Sequence, residues 1–270
     1  MLVSSRYNPE PLARLGCCVR LVAVPVMLLF AGLMGAAAYG DDFAAHQNRA
    51  PRVVTARAEK GAVVRALFAA VRVGYPPDRL FLRAFKRERQ LEVWAGGASG
   101  ALALVTTFPI CALSGGLGPK RQQGDMQIPE GAYIIDRFNT ASNFYLSLGV
   151  SYPNASDRIL GIKGRLGGDI FIHGDCVTIG CLPLTDEVIK ELYLIALDTY
   201  INGQREIPVH IFPRRMDAAG MCELKQMAGD DGALWMFWQV LAPVYAGFEA
   251  RHVVPRVKVD PRSGAYVVAP

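Results

Sequence analysis

The sequence predicts an α+β domain that is mainly antiparallel β, with helices flanking the sheet. Short apolar runs, several of them alternating with polar residues, recur over residues 79–172, and glycine-rich or charged turns separate them. Apolar residues at helical spacing occur before and after these runs. Short strands joined by tight turns predict mainly antiparallel pairing.

The first predicted element is a short helix over residues 56–73, which Gly74 and the two following prolines end. Residues 41–55 show no apolar period and are expected to form an exposed linker. Six strands are predicted next, over residues 81–85, 91–93, 101–108, 132–135, 144–148 and 169–172.

The clearest predicted helix starts after Thr185, which is a good N-cap residue followed by two acidic residues in the first turn. Its apolar face extends to Tyr200, and Asn202-Gly203 supplies the stop. A strand over residues 207–212, an aromatic helix over 234–248 and a hairpin with its turn at 261–264 complete the prediction. We therefore expect a main domain over 75–215, preceded by linker and helix at 41–74, with the helix and hairpin of 216–270 packing on it.

The N-terminal residues 1–40 are predicted to form a signal peptide or a membrane anchor. Residues 21–40 contain no charge, three arginines precede them, and Asp41-Asp42 follow. Ala38 and Gly40 are small residues suited to cleavage, whereas a run of about 20 residues also suffices to span a bilayer. Both alternatives place the rest of the chain outside the cytoplasm, in the periplasm, and the membrane is a partner only if the leader is uncleaved.

Composition and charge narrow the class of protein. The chain of 270 residues is 51% hydrophobic and 20% charged, which is a globular composition. A formal net charge of +5, part of it in the leader, is too small to indicate a nucleic-acid partner. Cys111, Cys176, Cys181 and Cys222 follow the leader, and in an oxidising compartment they favour disulfides, with Cys111 to Cys222 one candidate pair.

The strongest chemical signal is the segment from His173 to Cys181, a histidine and two cysteines in a glycine-containing loop after an apolar strand. A thiol is a useful nucleophile at neutral pH when a nearby base takes its proton, so the segment predicts a cysteine acyl-transfer site with His173 as base. Cys181 is preferred to Cys176 as nucleophile because Gly180 frees the backbone before it, whereas Asp175 precedes Cys176. The amide groups of the turn from Thr178 to Cys181 are expected to hold the oxyanion.

Two other interpretations of the same segment stay open at this point. His173, Cys176 and Cys181 could ligate zinc, although the chain lacks the paired spacing of structural zinc sites. Alternatively, the histidine lies beside a disulfide with no catalytic role. The glycine-rich stretch that ends at Lys120 is not a phosphate loop, because no Ser or Thr follows the lysine.

Several blocks in one order resemble the YkuD-type L,D-transpeptidase catalytic domain, in its YafK-like branch. They span roughly residues 75–268 and comprise FLRAFK at 81–86, ICALSG at 110–115, LGPK at 117–120, GDMQIPEG at 124–131, YPN at 152–154, HGDCVTIGC at 173–181 and TDE at 185–187. The resemblance implies a β-rich domain that acts on peptidoglycan stem peptides without a cofactor or a metal.

The resemblance also implies roles for individual residues. Cys181 would attack the L-centre carbonyl of meso-diaminopimelate and form a thioester, with His173 as base and the Gly174 carbonyl orienting the imidazole. The amides of Gly180 and Cys181 would hold the oxyanion. Lys120 and Arg121 are candidate partners of substrate carboxylates, and Thr178 is a further candidate for substrate binding.

The branch includes enzymes that hydrolyse the link between diaminopimelate and the lysine of an outer-membrane-anchoring lipoprotein, so such a lipoprotein is a second candidate partner. Amine acceptors give a transpeptidase, whereas water gives a hydrolase. Ile179 stands where the wider family has a second histidine, a departure that suits this branch. The alternative function is a non-catalytic wall-binding module. We further expect Cys111 and Cys176 to approach each other near the site, as a disulfide or as free thiols.

Overall fold

The computed structural model describes residues 42–269, which form one compact unit around an eight-stranded sheet. The strand order in the sheet is β3-β2-β1-β8-β4-β5-β6-β7, and a separate hairpin pairs β9 with β10. The strands are β1 (Arg79–Phe85), β2 (Gln90–Gly96), β3 (Ala103–Pro109), β4 (Gly131–Ser142), β5 (Tyr145–Val150), β6 (Ile170–His173), β7 (Leu182–Pro183), β8 (Ile207–Phe212), β9 (Val257–Val259) and β10 (Tyr266–Val268).

Within residues 42–269, six helical segments accompany the sheet. They are α1 (42–49), α2 (Pro51–Ala70), α3 (Ala155–Leu160), α4 (Asp186–Ile201), α5 (Ala218–Ala228) and α6 (Gly232–Glu249). Among the strands of the described residues, β1 with β8 and β6 with β7 pair in parallel, and the other neighbouring strands of the sheet are antiparallel. The predicted α+β fold with a mainly antiparallel sheet is therefore confirmed.

Both faces of the central sheet are covered, which makes β1 buried on both sides. Leu80, Leu82 and Ala84 belong to the same core as residues of α2 and α4. The alternate positions Phe81 and Phe85 pack with residues of α6 on the opposite face. A central strand covered on both faces has few polar positions, which explains why its apolar run is nearly continuous.

The expected linker over residues 41–55 is wrong, because residues 42–49 are helical and Pro51 starts α2. Proline is favoured in the first turn of a helix, where its missing N–H group would have no partner. Val53 and Ala56 are fully buried in the main core, so α2 packs as part of the domain and begins earlier than predicted. A further difference is α5, which no predicted element covered.

The helix after Thr185 and the C-terminal hairpin lie where the sequence predicts them. The Thr185 side chain accepts a hydrogen bond from the Val188 N–H group at the start of α4. Turn residues 260–265 connect β9 to β10. The predicted leader lies outside the described residues, and within 42–269 no helix has the length and apolar character that a membrane span requires.

Candidate active site

His173 and Cys181 lie at the end of the sheet, on neighbouring strands. His173 is the last residue of β6, and Cys181 immediately precedes β7, which pairs with β6 in parallel through Ile172 and Leu182. This register puts the two side chains on one face of the sheet, with Cα atoms roughly 8 Å apart from standard strand geometry. His173 and Cys181, eight positions apart in sequence, are therefore neighbours in the fold.

The imidazole of His173 is buried and oriented. Its Nδ1 atom is hydrogen-bonded to the Gly174 carbonyl oxygen, and its ring stacks on Phe144 with ring centroids 4.6 Å apart. A carbonyl oxygen only accepts, so Nδ1 carries the proton and Nε2 is the basic atom. Burial lowers the pKa of His173, while the Gly174 carbonyl and the charge of Asp175 act in the opposite direction. The group is therefore a neutral base at pH 7.

The thiol of Cys181 is free and partly buried. The Phe171 N–H group donates to Sγ over 3.4 Å, and the thiol donates to the Asp169 carbonyl oxygen over 3.7 Å. Burial raises the pKa of Cys181, whereas the Phe171 N–H group and the positive charge of Lys120 favour the thiolate. Burial thus favours the neutral form of both Cys181 and His173, so the pair rests as a thiol and an imidazole.

The turn before Cys181 is closed by the hydroxyl group of Thr178. Its Oγ1 atom accepts hydrogen bonds from the N–H groups of Gly180 (3.1 Å) and Cys181 (2.8 Å) and donates to the Cys181 carbonyl oxygen (2.8 Å). The two amides that the sequence assigned to the oxyanion are therefore occupied in this conformation. Thr178 itself holds the turn together, and a contact with substrate stays a prediction.

Gly174 and Gly180 are both at positions that exclude a side chain. A Cβ atom at Gly174 would lie 2.5 Å from an Asp186 carboxylate oxygen and 2.9 Å from the Phe144 carbonyl oxygen. At Gly180, φ is +139° and a Cβ atom would lie 3.1 Å from the Gln127 carbonyl oxygen. The segment around Gln127 therefore passes close to the turn that presents the thiol.

The side chains of Lys120 and Arg121 contact different parts of the structure. Lys120 is buried, and its Nζ atom contacts Asp125 at 2.6 Å and the Gln122 carbonyl oxygen at 3.0 Å. Arg121 stacks on Phe237 at 4.9 Å and lines a separate cavity of about 690 Å³, whose described lining does not include Cys181. Lys120 thus influences the thiol by charge, while Arg121 is not brought to it.

Cys111 and Cys176 form a disulfide with their Cα atoms 5.7 Å apart, as one of the two expected arrangements. The expected pair of Cys111 with Cys222 is wrong, since Cys222 is free and exposed on α5. The Cys111 N–H group also donates to the Pro183 carbonyl oxygen over 3.1 Å. The loop between β3 and β4 is thereby attached to both sides of the turn that presents Cys181. Because Cys176 is in a disulfide, it is not a thiolate that could ligate zinc.

Two aromatic residues of the site were missed in the sequence. Phe144 stacks on the imidazole, and Phe171 provides the N–H group that meets the sulfur. Phe171 stands two positions before His173 on one strand, so strand alternation could have placed it on the same face. For Phe144 the sequence holds no comparable signal, because it contacts His173 from the turn before β5.

Comparison with known proteins identifies the family of this chain. No family model matches the chain. It is 36% identical over 192 residues to the protein described as "Putative L,D-transpeptidase YafK" in Escherichia coli K12 and to its counterpart in strain O157:H7, which covers 70% of this chain and 74% of each relative. The chain therefore belongs to the YafK-like L,D-transpeptidases, and the resemblance predicted from its sequence is confirmed.

Solved structures show partial likenesses. The helical cell shape determining protein Pgp2 from Campylobacter jejuni gives a TM-score of 0.41 at 16% identity, over 73% of this chain and 80% of that one. L,D-transpeptidase 1 of Mycobacterium tuberculosis gives a TM-score of 0.29 at 14% identity, over 50% of this chain and 62% of that one.

Proposed function

We propose that this protein is an exported enzyme that modifies peptidoglycan stem peptides in the periplasm, with Cys181 as its nucleophile. The bond attacked is the amide at the L-centre carbonyl of meso-diaminopimelate. The observation that supports this most is the free Cys181 thiol on the same sheet face as His173, whose Nδ1 atom is held by the Gly174 carbonyl. Membership of the YafK-like L,D-transpeptidases supports the same substrate class.

The arrangement of protons supports a general-base mechanism. His173 Nε2 takes the proton of the Cys181 thiol as sulfur attacks the carbonyl carbon, and the C–S bond forms. When the tetrahedral intermediate collapses, the C–N bond breaks and the imidazolium returns that proton to the leaving amine. A thioester remains on Cys181, and either water or a second amine resolves it. Burial of both groups suits this order, because it favours the neutral pair before substrate enters.

The oxyanion requires donors that the resting turn does not offer freely. The amides of Gly180 and Cys181 donate to Thr178 Oγ1. Rotation of the Thr178 hydroxyl away from them would release both donors beside the reacting carbonyl. We propose that substrate binding brings about this rotation.

The thioester can be resolved in two ways. Water gives a hydrolase that detaches a lysine-linked lipoprotein from the wall, and an amine gives a transpeptidase. The alternative function, a non-catalytic wall-binding module, is favoured by one observation, the occupied amides of Gly180 and Cys181.

Mass spectrometry of the products tests the proposal. The purified full-length protein is incubated with tetrapeptide muropeptides and lysine-linked stem peptides, beside a Cys181→Ala variant. Release of linked lysine with gain of water, absent in the variant, is the result for a hydrolase. Dimers linked through diaminopimelate are the result for a transpeptidase. Unchanged substrates together with retained binding by both proteins would refute the enzyme and establish the binding module.

A further inference from the structure

A row of paired residues leads across the sheet to the nucleophile. Arg137 in β4 pairs with Gly149 in β5, and Gly149 pairs with Phe171 in β6. Paired residues of neighbouring strands point to the same face of a sheet. Cys181 continues the row beyond Phe171, whose N–H group donates to its sulfur. Arg137 thus stands on the face that presents the thiol.

Gly149 allows the arginine to reach across the row. A Cβ atom at this position would lie 2.8 Å from Arg137 Nε, 2.9 Å from Arg137 Cβ and 2.4 Å from an Asp136 carboxylate oxygen. With no side chain there, the Arg137 guanidinium crosses β5 and stacks on the Phe171 ring, 4.8 Å from its centroid. Cys181 immediately precedes β7, the neighbour of β6, so its backbone lies about 4.8 Å from that of Phe171. A single substrate side chain can therefore reach from the sulfur to the guanidinium.

Arg137 is accessible and only loosely paired. Its side chain is 45% exposed, and it contacts Asp136 through Nε at 3.1 Å and Asp169 through Nη1 at 2.9 Å. The Asp169 side chain is 82% exposed, and exposed ion pairs contribute little to stability. Within residues 42–269, Nη2 of Arg137 has no hydrogen-bond partner. Nη2 is therefore available to a ligand carboxylate.

Asp169 places a negative charge beside this cation and beside the thiol. Its backbone carbonyl oxygen accepts from Cys181, and its carboxylate contacts Arg137. A cation and a carboxylate side by side complement a group that carries both charges in the opposite arrangement. A free amino-acid end, with one carboxylate and one ammonium, is such a group.

We propose that Arg137 and Asp169 bind the free amino-acid end of the donor peptide, Arg137 its carboxylate and Asp169 its ammonium. This inference rests on the proposed function, because it names a recognition site for that substrate. The D-centre of meso-diaminopimelate is such an end and stands five bonds from the carbonyl that sulfur attacks, a reach of roughly 6 Å. The site makes Arg137 a specificity-determining residue that selects diaminopimelate over amino acids without the second carboxylate.

The test measures kcat/KM of the full-length protein on three stem tetrapeptides. The third residue is meso-diaminopimelate, its D-centre carboxamide, or L-lysine, which keeps the ammonium but lacks the carboxylate. Each peptide is offered with D-alanine and with ε-linked lysine as the leaving amine. Wild type is expected to lose about 10- to 100-fold in kcat/KM on the second and third peptides, as a lost hydrogen bond to a charged group predicts.

Two variants separate recognition from folding. Arg137→Gln is expected to lower kcat/KM on the diaminopimelate peptide by about the same 10- to 100-fold and to leave the other two peptides unchanged. Gly149→Ala keeps the charge but displaces the arginine, and the same selective loss is expected. Arg205→Gln is the matched control, because Arg205 stacks on Tyr200 at 4.6 Å in the loop before β8. It is expected to match wild type on all three peptides.

Three outcomes would overturn the inference. Equal loss on all three peptides in Arg137→Gln would make the residue structural. Wild-type turnover of all three at equal rates would remove the site while leaving the proposed function intact. Absence of turnover on every peptide would overturn the proposed function together with this site.

Discussion

Asp157 is a buried carboxylate whose replacement by asparagine should change how stability depends on pH. Its Oδ2 atom accepts from the Tyr133 hydroxyl at 3.0 Å and from the Asn154 N–H group at 3.1 Å, while Oδ1 lies 3.7 Å from Arg121 Nη1. Burial raises the pKa of Asp157 from 3.8 to about 6, more than these neighbours lower it. The folded protein therefore holds this proton over a pH range in which the unfolded chain has released it.

The magnitude and the sign follow from that pKa. A rise from 3.8 to about 6 corresponds to about 3 kcal/mol, at 1.36 kcal/mol for each pKa unit. The contribution of the neutral carboxyl group is fully present below pH 3.8, and it is lost as pH rises through about 6. Compared with Asp157→Asn, wild type should thus lose most of this contribution to the unfolding free energy between about pH 4 and pH 7.

Urea unfolding followed by tryptophan fluorescence measures this difference, with the disulfide intact. Subtracting the unfolding free energy of the variant from that of wild type at each pH removes the contribution of all other titrating groups. The control is Asp260→Asn, since hydrogen bonds from Ser263 and Arg262 lower the pKa of Asp260 and give the opposite slope. A wild-type minus Asp157→Asn difference that stays constant between pH 4 and pH 7 would refute the reasoning.

Three more predictions concern the turn from Thr178 to Cys181, the disulfide and His173. Thr178→Val should lower the unfolding free energy by about 1–3 kcal/mol because two N–H groups lose their acceptor, whereas Thr178→Ser should restore it. Equal midpoints of urea unfolding for the two variants would contradict this role. Under oxidising conditions, Cys111→Ser should lower the unfolding free energy by about 4 kcal/mol, because the unfolded chain loses a cross-link between residues 65 positions apart. The control Cys222→Ser should stay within about 0.5 kcal/mol of wild type, and similar losses in the two variants would count against the disulfide. The kcat/KM value should rise with pH as His173 loses its proton, with a midpoint below 6.5 because burial lowers that pKa; a midpoint above 6.5 would be inconsistent with a buried base.

The position of His173 and Cys181 is predictable because its determinants are local. One strand ends at His173, one turn follows, and the next strand starts after Cys181. Glycine in the turn and the N-cap at Thr185 are signals within a few residues of the site. The order of the strands along the chain is local in the same way, since turns and alternation mark each of them.

Other features depend on residues that are far apart in sequence. The partner of Cys176 is 65 residues away, and the spacing of the cysteines does not distinguish Cys111 from Cys222. No pattern in the sequence indicated that α2 is buried on the core, and residues 41–55 were therefore predicted to be a linker. In each case, packing between distant segments decides the outcome and no local pattern reports it.

The sequence by itself determined the fold class, the family and the pair of residues that the proposed chemistry uses. Only the tertiary structure decided which groups surround that pair. Thr178 occupies the amides of Gly180 and Cys181, Arg121 lines another cavity, and Arg137 contacts Phe171 across Gly149. The physical reason is that hydrogen bonds within a turn and contacts across paired strands depend on atomic positions, which a one-dimensional pattern of residue types leaves open.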